Sequence, residues 1–295
     1  MNIIQAIILG IVQGLTEFIP VSSTAHLIFA TRLTGLSQTL DAEQQTATIA
    51  VIQLGTLAAV FVYFARDIWN ICFAFVRDHL LLLRGRTPPD VEGRGFLGSR
   101  LSPDAKLGWL IFIGSLPIGV LGLALKKVIE GTFTKNLWVI ATMMVAVGLL
   151  LLVAEKVGSR RRGMEDLGLG DALAVGFAQV LALIPGASRS GSTIMGGLFA
   201  GEKRETAARF SFLLSIPAIT ASGLLELKEA IHRLPPGSAA PLLVATVVSG
   251  LVGYASIWFL LRYLREHSTG VFIGYRLLAG ALILVLLFVG RINAL

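Results

Sequence analysis

The first residues that could do chemistry are a glutamine and a glutamate near the start of an otherwise apolar chain. Gln13 and Glu17 are separated by four positions, so on a helix they lie on one face. A buried carboxylate must be paired, neutralised or bound to a cation. Glu17 could therefore ligate Mg²⁺ or Ca²⁺ through oxygen, with Gln13 as a neutral second ligand, or it could act as a general base.

A proline and a group of hydroxyl and imidazole side chains follow directly. Pro20 interrupts the helix, and Ser22, Ser23 and His26 come after it. A serine becomes a nucleophile when a neighbouring base activates it, so the favoured hypothesis is attack by Ser23 with His26 or Glu17 as the base. Attack by water with the same bases, or by His26 itself, is the alternative. The two serines could also simply cap the helix that follows.

A second polar stretch, near the middle of the chain, contains an arginine with apolar sequence on both sides. Arg189 inside a membrane would cost about 3 kcal/mol or more unless it is paired or solvated, which makes it a functional candidate. The residues around it are small or carry hydroxyls, and they are Gly186, Ser188, Ser190, Gly191, Ser192 and Thr193. A helix beginning here would offer free N–H groups to a phosphate, and the guanidinium adds bidentate recognition. Helix packing with a snorkelling arginine is the alternative.

The composition indicates that these polar stretches lie in a membrane protein. Of the 295 residues, 55% are hydrophobic and 15% are charged, against about 25% charged in soluble domains, and the mean hydropathy is +0.78. The net charge of +7 comes from basic residues in short loops between apolar runs, which is typical of cytoplasmic loops and not of a nucleic-acid surface. The single cysteine, Cys72, excludes an internal disulfide and a thiolate metal cluster.

Six apolar stretches are each close to the ~20 residues that a membrane-crossing helix needs, and they are 46–65, 107–125, 136–153, 207–227, 241–261 and 271–289. Two further segments, 3–36 and 171–200, are apolar but broken by the polar stretches. We predict that each folds back as a re-entrant helical hairpin, because irregular backbone is tolerated at membrane depth only where protein or water shields it. A continuous kinked span is the alternative. The expected fold class is all-α integral membrane, with a single domain over 1–295 and a cytoplasmic loop at about 83–106.

The chain also repeats itself weakly. A Gly-x-x-Gln pattern precedes both breaks, ending at Gln13 and at Gln179, and one gap is needed to align the prolines that follow. The two repeats, about 1–155 and 170–292, would each hold one hairpin and three spans. Because three is odd, the second copy must enter the membrane inverted, which brings the broken helices together near the midplane. The basic loops then fall on one side, which we expect to be cytoplasmic, with both termini opposite.

The two polar stretches, QGLTEFIPVSSTAH at 13–26 and PGASRSGST at 185–193, resemble the two signature motifs of the undecaprenyl pyrophosphate phosphatase (bacitracin-resistance protein) family. The resemblance covers the chain in length, span order and motif position. It implies hydrolysis of the lipid carrier pyrophosphate to the monophosphate, with a divalent cation, in the bacterial inner membrane at a site open to the periplasm. It also implies functional roles for Glu17, Ser22, Ser23, His26, Ser188, Arg189 and Thr193. The family often has glutamate at the position of Gln13, and since glutamine cannot be a base, this argues against a two-carboxylate mechanism.

Two other classes of protein share parts of this pattern. A transporter or flippase of a phosphorylated polyprenyl lipid would also use inverted repeats and broken helices, but it would release no phosphate. The type 2 phosphatidic acid phosphatase family needs a second histidine well downstream of its Ser-Arg pair, and residues 188–226 contain none. The expected partners are a polyprenyl pyrophosphate lipid and the membrane, without nucleic acid, and a homodimer is left open.

Overall fold

The computed structural model describes residues 1–89, 91, 100–125, 136–230, 233–234 and 237–294, and the regular elements within these ranges are helical. In chain order the α-helices are α1 (Ile3–Phe18), α2 (Ser23–Leu33), α3 (Leu36–Thr39), α4 (Ala42–Tyr63), α5 (Ala65–Leu83), α6 (Pro103–Ala124), α7 (Leu137–Val157), α8 (Leu169–Val180), α9 (Arg189–Phe199), α10 (Arg204–Ala230), α11 (Ala239–Glu266) and α12 (Gly270–Phe288).

Six of the described helices are long and apolar enough to cross a membrane. These segments are Glu43–Tyr63, Pro103–Ala124, Leu137–Val157, Arg204–Leu225, Ala239–Glu266 and Gly270–Phe288. Each overlaps one of the six stretches expected from the sequence, so the all-helical, multi-span class is confirmed. The fifth segment runs to 28 residues, which is longer than its apolar stretch because polar ends extend the helix beyond the hydrocarbon-length core.

One helix was missed by the sequence analysis. The basic segment after the first span was read as a loop, but α5 continues the chain as a helix after a break at Phe64. Its buried side contains Ile71 and Ala74, whereas Trp69 and Phe73 are exposed. The segment has a clear helical period of apolar and charged residues, and it was missed because its charges alone were taken as the mark of a loop. Of the expected loop at 83–106, residues 90 and 92–99 lie outside the described residues.

Each polar stretch contains a break between two short helices, and a proline causes each break. The residue before each proline, Ile19 or Ile184, is extended (ψ 134° and 120°), as steric contact with the proline ring requires. The helix therefore ends, and a second one begins at Ser23 or Arg189. Within each pair the helices pack against each other, α1 on α2 and α8 on α9.

The backbone inside both breaks is unusual. Ser22 has φ 77° and Ser188 has φ 68°, and Gly186 in the second break has φ 90°. Only Arg160 among the other described non-glycine residues has a positive φ. Glycine is required at 186 for a second reason, since a Cβ there would overlap the backbone of Ile140 in α7.

The longer helices surround the two broken pairs. Helix α1 packs along α11, which also packs on α4, while α8 packs along α6, which also packs on α10. Helices α7 and α12 pack together, and α9 lies against α7 and α10. The α1–α11 contact is close enough that a Cβ at Gly14 would come within 2.7 Å of Val252, which is the close helix approach that small residues allow in membranes. Phe18 of α1 packs edge-on against Phe212 of α10, with ring centroids 5.5 Å apart.

Candidate active site

An ion pair joins the two polar stretches. Nη2 of Arg189, the first residue of α9, donates to Oε1 of Glu17 near the end of α1 over 3.0 Å. The side chains are 12% and 10% exposed, so the pair is largely withdrawn from solvent. A second contact follows alongside, since the Ser190 hydroxyl donates to the carbonyl of Ile19 over 3.4 Å. The polar stretch that contains Glu17 and the one that contains Arg189 therefore meet in a single site.

The second terminal nitrogen of the Arg189 guanidinium has no partner among the described residues. Its Nη1 is buried without a hydrogen bond to any described residue, although buried polar groups are normally satisfied. In the first turn of α9, the N–H of Gly191 donates to Oγ of Ser188 over 3.2 Å, while those of Arg189 and Ser190 have no acceptor in the described part of the chain. A free guanidinium nitrogen beside free N–H groups at a helix N-terminus is a suitable binding place for a phosphate.

Glu17 receives a second donor from Gln13, as their spacing predicted. Nε2 of Gln13 donates to Oε2 of Glu17 over 3.1 Å and lies 3.4 Å from Oγ1 of Thr56 on α4. Oε1 of Gln13 is buried without a partner among the described residues. An unsatisfied amide oxygen beside a carboxylate is a donor set that fits Mg²⁺ or Ca²⁺. No group of three or more His, Cys, Asp or Glu side chains within the described ranges could hold a metal, so water and substrate oxygens would supply the other ligands.

The two serines of the first break are not equivalent. Ser22 is 1% exposed, and its Oγ has no partner among the described residues. It precedes α2 without capping it, so the structure does not support the capping interpretation for Ser22. Ser23 is partly exposed. Among the described contacts no hydrogen bond joins Ser23 to His26 or Glu17, the two bases expected to activate it.

His26 is held by other partners. Its Nδ1 lies 2.7 Å from the carbonyl of Ser22, and its Nε2 lies 2.5 Å from the hydroxyl of Tyr275 on α12. A carbonyl can only accept, so Nδ1 carries a proton, and in the neutral imidazole Nε2 then accepts from the Tyr275 hydroxyl. The imidazole and phenol rings are stacked with centroids 5.5 Å apart. In this arrangement the lone pair of His26 is used by Tyr275.

Three hydroxyl side chains in and after the second break form hydrogen bonds within the protein. Thr193 is fully buried, and its hydroxyl contacts Oγ of Ser211 (2.5 Å) and the carbonyl of Arg189 (2.8 Å). Ser188 and Ser190 place their hydroxyl oxygens 3.2 Å apart. Direct phosphate contact by Gly186, Ser188, Ser190 and Thr193 stays a prediction. The described geometry gives Thr193 a role in holding the start of α9, because its hydroxyl is already engaged.

Comparison with known proteins identifies the family of the chain. A family model described as "Bacitracin resistance protein BacA" matches residues 6–282. The chain belongs to this family. A protein of Syntrophobacter fumaroxidans named undecaprenyl-diphosphatase is 48% identical over 288 residues, covering 98% of both chains. Proteins with the same name from Nocardia farcinica (44% identical, covering 100% of this chain and 98% of the other) and Chlorobium limicola (46%, covering 100% of both) are also similar.

Two residues of α12, both within the part matched by the family, were missed by the sequence analysis. They are Tyr275, described above, and Arg276, which is fully buried and donates to backbone carbonyls in both breaks. Arg276 lies inside a stretch that the sequence analysis had assigned as a span. The reasoning that singled out Arg189, an arginine at membrane depth, applied equally to Arg276 and could have found it. Nothing in the sequence pointed to Tyr275, because aromatic residues are common at membrane interfaces.

Proposed function

We propose that this chain is an undecaprenyl-diphosphatase. It hydrolyses a polyprenyl pyrophosphate to the monophosphate and inorganic phosphate, recycles the lipid carrier for cell-wall synthesis, and thereby confers resistance to bacitracin. The observation that carries the proposal is the Arg189–Glu17 contact, in which a guanidinium with an unpartnered nitrogen meets a carboxylate. The names of the relatives support the same activity. They do not favour the alternative of a lipid transporter or flippase.

The proposed binding step is an exchange of partners at Arg189. The unpartnered Nη1 and the first N–H groups of α9 take oxygens of the terminal phosphate, and the phosphate competes with Glu17 for Nη2. The guanidinium then offsets negative charge as it develops on the phosphoryl oxygens. Release of Oε1 from Arg189 leaves the Glu17 carboxylate free to accept a proton or to hold a cation.

The proposed chemical step breaks the bond between the terminal phosphorus and the bridging oxygen. The attacking oxygen bonds to phosphorus and gives its proton to Glu17, and the leaving group is the polyprenyl monophosphate. If Ser23 attacks, water then hydrolyses the phosphoserine, which releases inorganic phosphate and restores the hydroxyl. Ser23 is our favoured nucleophile because it is partly exposed, whereas Ser22 is buried. Attack by water, with Glu17 as the base, is the competing route. His26 is less suited to act as the base, since its Nε2 is already hydrogen-bonded to the Tyr275 hydroxyl.

A trapping experiment separates the two routes. A polyprenyl pyrophosphate labelled on its terminal phosphate is mixed with enzyme and quenched in acid within a single turnover. Attack by Ser23 leaves label on the protein, and Ser23→Ala removes both label and turnover. Attack by water leaves no label, and Ser23→Ala then retains most of the activity. Ser268→Ala, a serine between α11 and α12, controls for nonspecific labelling of hydroxyls.

A divalent cation, Mg²⁺ or Ca²⁺, belongs to this proposal. Glu17 and Oε1 of Gln13 would hold it, since the amide oxygen is buried without a described partner. The cation would supply positive charge to the phosphate oxygens. Loss of phosphate release on chelation, and its recovery on adding Mg²⁺ or Ca²⁺, tests this part of the proposal.

We also propose that the two broken pairs are re-entrant and that the two halves form an inverted repeat. Helices α1 and α9 have 16 and 11 residues, about 24 and 16 Å at 1.5 Å per residue, which is short of a hydrocarbon core of about 30 Å. The packing relations support the repeat, because α1 on α11 and α4 on α11 have counterparts in α8 on α6 and α10 on α6.

The orientation is proposed from charge alone, with the basic loops in the cytoplasm and the active site open to the periplasm. Single cysteines placed in a Cys72→Ser background test it in intact cells with a membrane-impermeant thiol reagent. A cysteine at Glu266, at the end of α11, should be protected, and one at Asn293, after α12, should be labelled. The opposite labelling pattern would overturn the orientation without affecting the fold.

A further inference from the structure

Arg276 has a set of partners that no other described arginine has. It lies in α12, is fully buried, and donates from Nη1 to the carbonyl of Pro20 over 3.2 Å. Its Nη2 donates to the carbonyls of Gly186 (3.0 Å) and Ala187 (2.9 Å). Pro20 belongs to the first break, and the other two residues belong to the second. One guanidinium therefore connects the irregular backbone of both breaks.

The same side chain is also fixed to a regular helix. Its Nε lies 3.2 Å from the carbonyl of Met144, and its Nη2 lies 3.4 Å from that of Met143, both in α7. All of these acceptors are backbone carbonyls, and no described carboxylate pairs with Arg276. A planar guanidinium with five N–H groups can reach three backbone segments at once, whereas the ammonium of lysine has three N–H groups on one atom.

We propose that Arg276 is a positioning residue that sets the relative placement of the two breaks. The proposal rests on the function proposed above. Glu17 lies one residue before the end of α1, which precedes the first break, and Arg189 begins α9, which follows the second. Their contact therefore depends on how the breaks are held. Arg276 is linked to Pro20, three positions from Glu17, and to Ala187, two positions from Arg189. Fixing these carbonyls fixes the starting points from which the two catalytic side chains extend.

The contrast with Arg189 argues against direct phosphate contact by Arg276. Arg189 is 12% exposed and has an unpartnered Nη1, whereas Arg276 is fully buried and each of its nitrogens has a carbonyl partner. A phosphate reaching Arg276 would have to displace the backbone of a break. Helix α12 instead supports the site through its side chains. Tyr275, which directly precedes Arg276 on this helix, is hydrogen-bonded to His26.

The kinetic test compares Arg276→Lys and Arg276→Gln with Arg265→Lys and Arg265→Gln. Arg265 lies in α11, is 61% exposed, and pairs with Glu205, so it controls for the loss of a guanidinium. We expect kcat with a polyprenyl pyrophosphate to fall by about 100-fold in both Arg276 variants, the size of effect that a displacement of about 1 Å produces, with KM changed less than about threefold. Wild-type kcat in Arg276→Lys would overturn the proposal, because charge alone would then suffice. A raised KM with unchanged kcat would also overturn it and would indicate a direct phosphate ligand.

The second measurement needs no substrate, so it stands even if the proposed function fails. Amide hydrogen exchange is followed by mass spectrometry in purified wild-type protein and in Arg276→Lys, which keeps a positive charge and should remain folded. Peptides covering 19–22 and 184–188 should exchange at least tenfold faster in the variant, whereas peptides of α4 should be unchanged. Unchanged exchange at both breaks would refute the positioning role. Absence of phosphate release by the wild type, with the expected exchange pattern, would refute only the proposed function.

Discussion

Ser22 and Ser188 adopt closely similar backbone conformations in corresponding places. Their φ, ψ angles are 77°, 94° and 68°, 118°, and each residue directly precedes the second helix of a broken pair. A non-glycine residue in such a region costs on the order of 1–3 kcal/mol and persists only where the surroundings impose it. The correspondence supports the proposed repeat. It also shows that both breaks contain strained backbone, which is concentrated at functional sites in proteins.

Replacing Ser22 by glycine removes both the backbone strain and the hydroxyl. Glycine adopts positive φ without steric cost, and Oγ of Ser22 has no described partner to lose. We therefore expect Ser22→Gly to keep or raise the thermal unfolding temperature, while kcat falls by at least about tenfold if the hydroxyl or the fixed backbone serves the reaction. The measurements are thermal unfolding in detergent and phosphate release.

Ser22→Ala is the matched variant, because it removes the hydroxyl but keeps the strain. It should unfold at a lower temperature than Ser22→Gly. Equal unfolding temperatures for the two variants would show that the strain is not significant, and full activity in both would remove Ser22 from the site.

Gln13→Glu should strengthen the proposed cation site. A second carboxylate next to Glu17 raises the negative charge at the position of the unpartnered Gln13 Oε1, and two close carboxylates are stabilised by a bound cation. The Mg²⁺ concentration for half-maximal phosphate release should fall severalfold. Thr56→Val, which removes the other contact of Gln13 without adding charge, should leave that concentration unchanged. A Mg²⁺ requirement that is the same in Gln13→Glu would place the cation elsewhere.

The pH dependence of stability should be affected by a carboxyl outside the site. Glu202, in the turn before α10, is fully buried, and its two oxygens have no hydrogen bond to any described residue. Burial, followed by repulsion from Asp171 and partly offset by Arg162, raises the pKa of Glu202 to about 8. Since this lies above the value of the unfolded chain, the stabilising contribution is complete in acid and is lost as the pH rises through about 8.

Glu202→Gln removes that titration. Because the amide stays neutral, the variant should be more stable than the wild type at pH 9 and nearly equal to it at pH 5, by thermal unfolding across this range. Glu205→Gln, which removes a carboxylate that is 34% exposed, should not gain stability over the wild type between pH 5 and pH 9. An identical pH profile for Glu202→Gln and the wild type would mean that Glu202 is charged in the folded protein.

The sequence was sufficient to predict the six long apolar helices and the positions of the two breaks. Hydropathy alone located the six spans, and the prolines marked both interruptions, because each effect acts within a few residues of the chain. The spacing of Gln13 and Glu17 also predicted their contact. These are local properties, and they do not depend on how the helices pack.

The supporting residues could not be found in the same way. Tyr275 is 249 positions from His26, and only the packing of α12 beside the first broken pair brings them together. The expected activation of Ser23 by His26 came from their closeness in sequence, but on α2 the imidazole bonds to Ser22 and Tyr275 instead. The role of Arg276 was hidden for the same reason. Its charge is visible in the sequence, but its backbone acceptors are known only from the packed structure.

The most direct test of the account is phosphate release from a polyprenyl pyrophosphate by purified protein and by the variants Glu17→Gln and Arg189→Ala. The account predicts release by the wild type and a loss of about 1,000-fold or more for Arg189→Ala, the size of effect of a phosphate-binding arginine. It predicts a similarly large loss for Glu17→Gln, and near-normal release by the exposed-arginine control Arg265→Gln. Wild-type turnover that survived both site substitutions would contradict the account.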